Sequence, residues 1–249
     1  MFTIQTKIFA HRGACYYAPE NTLPAFELAK QMGASGIELD VQMTKDQVPV
    51  VIHDENVKRT TNGTGLVKDY TYAELKQLDA GYWYDAKYKG TTIPSLADFL
   101  SWVRSTQLQI NVELKTNVIE YPNIEQKVVE LIDHYQLNNR TVLSSFNANS
   151  IRRLSEMDSP IELAWLTQLR VKNTDSLLKE IGANSIHIHT RILPSMMMKR
   201  IIQHHIPFRV YTVNKLKTMN KCLSLGAKAI ITDVPDRAVK QFTTKNLEG

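Results

Sequence analysis

The sequence predicts an α/β protein: a TIM-like (β/α)8 barrel with a β-hairpin and a small insertion at the C-terminal face of the barrel. Three observations predict it. The chain has 249 residues, close to the roughly 250 that such a barrel takes. Short runs rich in Val, Ile and Leu alternate with helical patterns almost to the end, the signature of βα units and a parallel sheet. One pair of runs stands too close together for a parallel crossover and has to be a hairpin.

The first strand is expected at Ile8-Phe9-Ala10 and the second at Gly36 to Met43. Between them Asn21-Thr22-Leu23-Pro24 opens a helix over Ala25 to Met32, because Asn and Thr suit the cap and Pro the first turn. Val48 to His53 follows across the polar tip Thr44-Lys45-Asp46-Gln47 alone. A turn centred near Asp46 pairs the two runs antiparallel and brings His53 opposite Leu39 and Asp40. Asp54 to Thr92 breaks the rhythm, being turn-rich (Asn62-Gly63-Thr64-Gly65) and aromatic, and it reads as a capping segment over the barrel mouth. Pro94-Ser95 then starts a helix over Leu96 to Val103. Six further strands are expected at Leu108 to Lys115, Thr141 to Phe146, Ile161 to Thr167, Ser185 to Thr190, Phe208 to Val213 and Ala229 to Thr232. With the hairpin strand set aside, eight remain for the barrel. Gly33, Gly182 and Gly226 fall where helix C-caps belong. Residues 1–249 thus read as a single domain, with 54–92 inserted.

Apolar residues make up 43% and charged residues 22%, the balance of a globular chain with a sizeable core rather than a disordered one. No run of about 18 apolar residues occurs, so no membrane span is expected. The start, Met1 to Lys7, shows no secretory signal, which points to the cytoplasm. Cys15 and Cys222 are far apart and belong to no ligand-like cluster, so they read as free thiols. The net charge of +5 suits an anionic substrate, but the basic residues are scattered. Lys199-Arg200 and Lys215-Leu216-Lys217 read as solvated helix faces, not a nucleic-acid patch.

In a βα barrel the chemistry sits at the C-terminal ends of the strands. Four such ends carry it here: His11-Arg12-Gly13, Glu38 with Asp40, His53-Asp54, and Asn111, Glu113 and Lys115. Residues two apart on a strand share a face, so Glu38 and Asp40 form one inward pair and Glu113 with Lys115 another. Three inward carboxylates with no thiolate beside them suit one hard divalent cation, Mg²⁺ or Ca²⁺. The competing reading is a buried salt-bridge network of Glu38, Asp40 and Glu113 with Arg12 and Lys115. Beside these charges His11 and His53 read as two proton-transfer groups. Phosphodiester hydrolysis needs that pair: a base for the attacking oxygen, an acid for the leaving alcohol, and cations on the nonbridging oxygens.

Other side chains carry less. Phe146 ends a strand and is expected as pocket wall. Trp83, in the insertion, is expected at the rim. His187 and His189 alternate on one strand as core or wall positions, His204-His205 at a helix end face solvent, and Met196-Met197-Met198 fill core.

His11-Arg12-Gly13, Pro19-Glu20-Asn21-Thr22, Gly36 to Val41, Val51-Ile52-His53-Asp54, Asn111 to Lys115 and Tyr211-Thr212-Val213-Asn214 resemble the bacterial glycerophosphodiester phosphodiesterases. Arg59 to Gly63 and Ile93 to Leu96 resemble that family's inserted segment and its return, and the likeness runs in chain order from about residue 8 to Asp236. The resemblance implies a TIM barrel that hydrolyses deacylated phospholipids to sn-glycerol 3-phosphate and an alcohol. It implies acid/base roles for His11 and His53, the metal for Glu38, Asp40 and Glu113, and the phosphate for Arg12 and Lys115. Tyr211 departs from the family, many of whose members carry tryptophan there, which touches the alcohol or glycerol pocket and not the catalytic set.

Competing readings are a lysophospholipase D or cyclising phosphodiesterase using the same histidines, a non-catalytic phosphate-binding barrel, and a sugar-phosphate isomerase. The last would not need three carboxylates, and a binding barrel would be expected to lack a catalytic histidine. The expected partner is a small-molecule phosphodiester; head group, metal identity and oligomeric state are left open.

Overall fold

The computed structural model describes residues 6–247; Met1 to Gln5, which carry most of the reading on a secretory signal, lie outside them. Nine strands form one sheet: β1 (Lys7–His11), β2 (Gly36–Met43), β3 (Pro49–Val51), β4 (Gln109–Leu114), β5 (Thr141–Ser145), β6 (Glu162–Thr167), β7 (Ser185–His189), β8 (Phe208–Tyr211) and β9 (Ala229–Thr232). Their order is β1-β9-β8-β7-β6-β5-β4-β2-β3, and a further β1–β2 pairing closes the ring. All pairings are parallel except β2 with β3. The expected closed eight-stranded barrel is therefore present, with β3 outside it as the hairpin strand.

The hairpin keeps its expected register. Val41 faces Val51 and Met43 faces Pro49, and the Ile52 N–H donates to the Asp40 carbonyl at 3.0 Å. Ladder geometry ends at Val51, short of His53, because the chain there turns into the insertion.

Nine helices are described: α1 (Leu23–Gln31), α2 (Tyr72–Leu75), α3 (Leu96–Arg104), α4 (Ile124–His134), α5 (Ala148–Ser155), α6 (Thr174–Ile181), α7 (Met196–Gln203), α8 (Leu216–Ser224) and α9 (Pro235–Leu247). Sequence chemistry sets their ends. Ser95 and Asp98 form a reciprocal capping box on α3, and Gly182 ends α6 with φ +72°. The core lies between strands and helices: Phe26 of α1 meets Phe99 of α3 edge-on at 4.9 Å, and both are fully buried. Each such side chain contributes about 1.5–3 kcal/mol through removal of its apolar surface from water.

Met196 is a correction. Met197 and Met198 are buried as expected, but Met196 is 68% exposed, because the phase of α7 turns its first residue away from the barrel. His204 and His205 face solvent, and His187 is fully buried.

Among the described residues no helix is long and apolar enough to cross a membrane. The insertion builds a small core of its own from Val57, Val67, Leu75 and Ala80 with Val50 and Ile52. Its aromatics tie it to the β1–α1 connection: Tyr84 Oη donates to the Tyr16 carbonyl at 2.6 Å and Tyr88 Oη to that of Tyr17 at 3.1 Å.

Candidate active site

Strand register assembles the site. His11 of β1 lies level with Glu38 of β2, Glu38 with Asn111 of β4, and Asp40 with Glu113. Side chains paired across parallel strands share a face, so the inward alternation on β2 and β4 puts three carboxylates into the barrel. Glu38, Asp40 and Glu113 bring carboxylate oxygens within 4.8 Å of one another, and all three are buried.

Cations from the same strand ends surround them. Lys115 Nζ lies 2.9 Å from Glu113 Oε1 and 3.7 Å from Asp40 Oδ1. Arg12 Nε is 3.2 Å from Asp40 Oδ2, an ion pair without hydrogen-bond alignment. The backbone N–H of Arg12 donates to Glu38 Oε2 at 3.0 Å, and Asn21 Nδ2 donates to Asp40 Oδ2 at 2.9 Å. This tight approach needs Gly13: at φ +82° a Cβ there would come within 2.8 Å of Ala25. Asn21 takes the left-handed region too, with φ +57°.

The three acids do not titrate alike. Burial opposes charge on Asp40, yet Arg12 and Lys115 hold its carboxyl well below the usual range. Glu38 goes the other way: burial, and then the neighbouring Asp40 charge, push its carboxyl up. With all three acids ionised, Arg12 and Lys115 leave one negative charge of the cluster unmatched. Oxygen donors only, an unmatched negative charge, and the buried, unpartnered Asn111 Oδ1 beside them fit a hard divalent cation. The salt-bridge network and a cation site are thus the same cluster.

Both histidines are oriented by an aspartate. His11 Nδ1 is 2.6 Å from Asp233 Oδ1, and His53 Nδ1 is 2.6 Å from Asp54 Oδ1. Burial resists charge on His11, but the Asp233 hydrogen bond and the Glu38 charge outweigh it and raise its pKa. Asp233, despite burial, is held down to about 2 by His11, Asn214 and Cys15. Asp54 is held at about 2, first by the Arg59 hydrogen bond. Side-chain exposure rises from 1% at Asp40 to 19% at His11 and 30% at His53. The imidazoles therefore stand between the acid cluster and solvent.

One ion-pair chain joins the two sides. Asp54 accepts from Arg59 Nε at 2.6 Å, Arg59 grips both oxygens of Glu20 at 2.7 and 2.8 Å, and Glu20 accepts from Arg12 at 2.8 Å. On the other wall Phe146 and Tyr211 meet edge-on at 6.1 Å, and His189 packs on Tyr211 at 5.7 Å. Burial, and then the Glu113 charge, raise the Tyr211 pKa. Trp83 stands apart: its Nε1 donates to Ala80 within the insertion and its ring packs on Tyr84. Sequence reasoning missed Asp233 altogether, although it directly follows the last strand. Glu20, Asn21, Asp54 and Arg59 stood in recognised motifs without a role; Asp54 had the clearest signal, as the acid next to His53.

The chain matches the model of the Glycerophosphoryl diester phosphodiesterase family over residues 11–237. It is 45% identical over 240 residues to a Bacillus altitudinis glycerophosphodiester phosphodiesterase, covering 94% of this chain and 97% of that one. With the corresponding Caldanaerobacter subterraneus subsp. tengcongensis enzyme it shares 36% over 237 residues, 95% and 97% of the two chains. Its fold is similar to a crystal structure of a glycerophosphodiester phosphodiesterase from Agrobacterium tumefaciens, with TM-score 0.81, 31% identity and coverage of 96% and 99%. It is also similar to an Oleispira antarctica phosphodiesterase in complex with the product sn-glycerol-3-phosphate, with TM-score 0.87, 27% identity and coverage of 97% and 98%.

Proposed function

The chain belongs to the glycerophosphoryl diester phosphodiesterase family and is an enzyme of that type, and from that premise we propose how its own residues act. The substrate is a glycerophosphodiester and the products are sn-glycerol 3-phosphate and an alcohol, a reading supported by the product bound to the Oleispira antarctica relative. The observation that carries the mechanism is the pairing of each imidazole Nδ1 with an aspartate, His11 with Asp233 and His53 with Asp54. Such pairing fixes the ring and leaves Nε2 for proton transfer.

One of the two rings takes the proton from the attacking oxygen, and the other gives a proton to the departing alkoxide. Arg12 and Lys115 face the nonbridging phosphoryl oxygens. Glu38, Asp40 and Glu113 would hold one divalent cation, Mg²⁺ or Ca²⁺, whose chemistry there would be positive charge beside the phosphoryl group. Phe146 and Tyr211 wall the alcohol side. Residues 54–92 cap the mouth of a single barrel domain, with Trp83 at the rim. The substrate class supports a place in lipid and glycerol metabolism.

The test is release of sn-glycerol 3-phosphate from a panel of glycerophosphodiesters, before and after exhaustive chelation and after return of Mg²⁺ or Ca²⁺. Full turnover in the chelated protein would remove the cation from this scheme.

A further inference from the structure

Among the described residues the exposed large apolar side chains, Ile202 excepted, lie on a strand-to-helix connection, on the first residue of the helix that follows, or, for Tyr82 and Trp83, in the 54–92 insertion. In a βα barrel these positions belong to the face that carries the active site. Scattered apolar side chains on a surface need no explanation, but confinement to one face does.

The pattern is sharpest over the adjacent strands β6, β7 and β8. Leu169 is 73% exposed, Met196 68% and Leu216 51%. The three connections that carry them, residues 168–173, 190–196 and 212–217, contain Arg170, Lys172, Arg191, Lys215 and Lys217 and no Asp or Glu. All five cations are exposed. The nearest acid on these elements, Asp175, lies in the first turn of α6. On the opposite side of the mouth, by contrast, Arg12 and Arg59 are bound to Glu20 and Asp54. The mouth thus has one neutralised side and one that is cationic with apolar tips between the charges.

Apolar tips among exposed Lys and Arg complement a surface that is anionic outside and apolar beneath. We propose that the β6–β8 quarter of the barrel's C-terminal face is a docking surface for an anionic phospholipid bilayer. Leu169, Met196 and Leu216 enter the head-group region, and the flanking cations meet the lipid phosphates. Tyr211 and Phe146, the wall on that side, would then open toward the membrane, so a diester held at the bilayer surface reaches the carboxylates without crossing the ion-paired side. This docking does not depend on the mechanism proposed above.

Co-sedimentation of the whole protein with phosphatidylcholine vesicles, with and without phosphatidylglycerol, tests it. Two variants are compared: Leu169→Ser with Met196→Ser and Leu216→Ser, and Arg170→Gln with Lys172→Gln, Lys215→Gln and Lys217→Gln. Partition onto the phosphatidylglycerol vesicles is expected, weakened by salt, with little onto phosphatidylcholine alone. Each variant should lose at least about tenfold in partition while keeping the parent's melting temperature and its turnover of a water-soluble diester. Failure of the parent to bind phosphatidylglycerol vesicles overturns the proposal, and so does binding that survives both sets of substitutions. Light scattering covers the remaining occupant. If the parent is a dimer that the serine variant dissolves, and vesicles do not bind, the face joins two copies of this chain and the lipid assignment is wrong.

Discussion

Asp233 Oδ1 lies 2.6 Å from His11 Nδ1 across 222 residues of sequence, so the last strand of the barrel sets the orientation of a side chain on the first. Asn214 holds the other carboxylate oxygen of Asp233 and also accepts from its backbone N–H at 2.9 Å. Asp233→Asn keeps the shape and removes the charge. Turnover should fall by about 10²-fold or more, with KM nearly unchanged, because the ring loses the partner that fixes its tautomer. Unchanged turnover would make Asp233 structural only.

The two histidines should separate by leaving group. An alkyl alcohol needs a proton to depart and p-nitrophenol does not, so removal of the general acid is partly rescued by the activated diester. One of His11→Ala and His53→Ala should recover on it and the other should not, with losses of about 10² to 10⁴ each on the natural diester. If both stay within a few-fold of the parent there, neither transfers the proton.

Glu38→Gln should trade affinity for stability. Burial and the Asp40 charge both disfavour its ionised form, so in the metal-free protein the neutral amide relieves repulsion and the melting temperature should hold or rise. Calorimetric cation affinity should fall by about tenfold or more. A large drop in melting temperature with affinity intact would identify Glu38 as a structural acid.

Trp83→Ala tests the capping segment. Its loss should raise KM more than it lowers kcat, as expected when ground-state binding is removed. A change in melting temperature alone would make Trp83 part of the packing inside the insertion, where its Nε1 hydrogen bond to Ala80 already lies.

At the far end of the barrel His187 is fully buried beside Arg209, which is paired to Glu162 at 2.7 Å. Burial, and then the Arg209 charge, drive the His187 pKa well down. The native state thus keeps His187 neutral, while the unfolded chain takes up a proton below about pH 6.5. Its contribution is complete above that pH and is lost on acidification, with a slope of up to about 1.4 kcal/mol per pH unit. Glu38, raised by burial, opposes this slope over the same range, so the His187 slope is expected in the difference between the urea-derived stabilities of the parent and His187→Gln at successive pH values. Glu162 also has a depressed pKa, but its loss begins only below about pH 4.3, the unfolded carboxyl value, so the two windows separate. An unaltered profile in His187→Gln would assign the slope to other groups.

The sequence by itself determined the barrel, the hairpin and the inward acids. A period of two fixes which side chains of β2 and β4 share a face, and a polar tip of a few residues admits only an antiparallel return, which is why the placement of Glu38, Asp40, Glu113 and His53 is legible in the sequence alone. Tertiary structure decided what depends on register between distant strands. Asp233 reaches His11 only because β9 closes on β1, and Glu20 joins Arg12 to Arg59 only because the insertion docks on the β1–α1 connection. The exposure of Met196 likewise follows from the phase in which α7 packs. Local spacing carries no information about any of these, since each is set by the meeting of two surfaces rather than by the period of one.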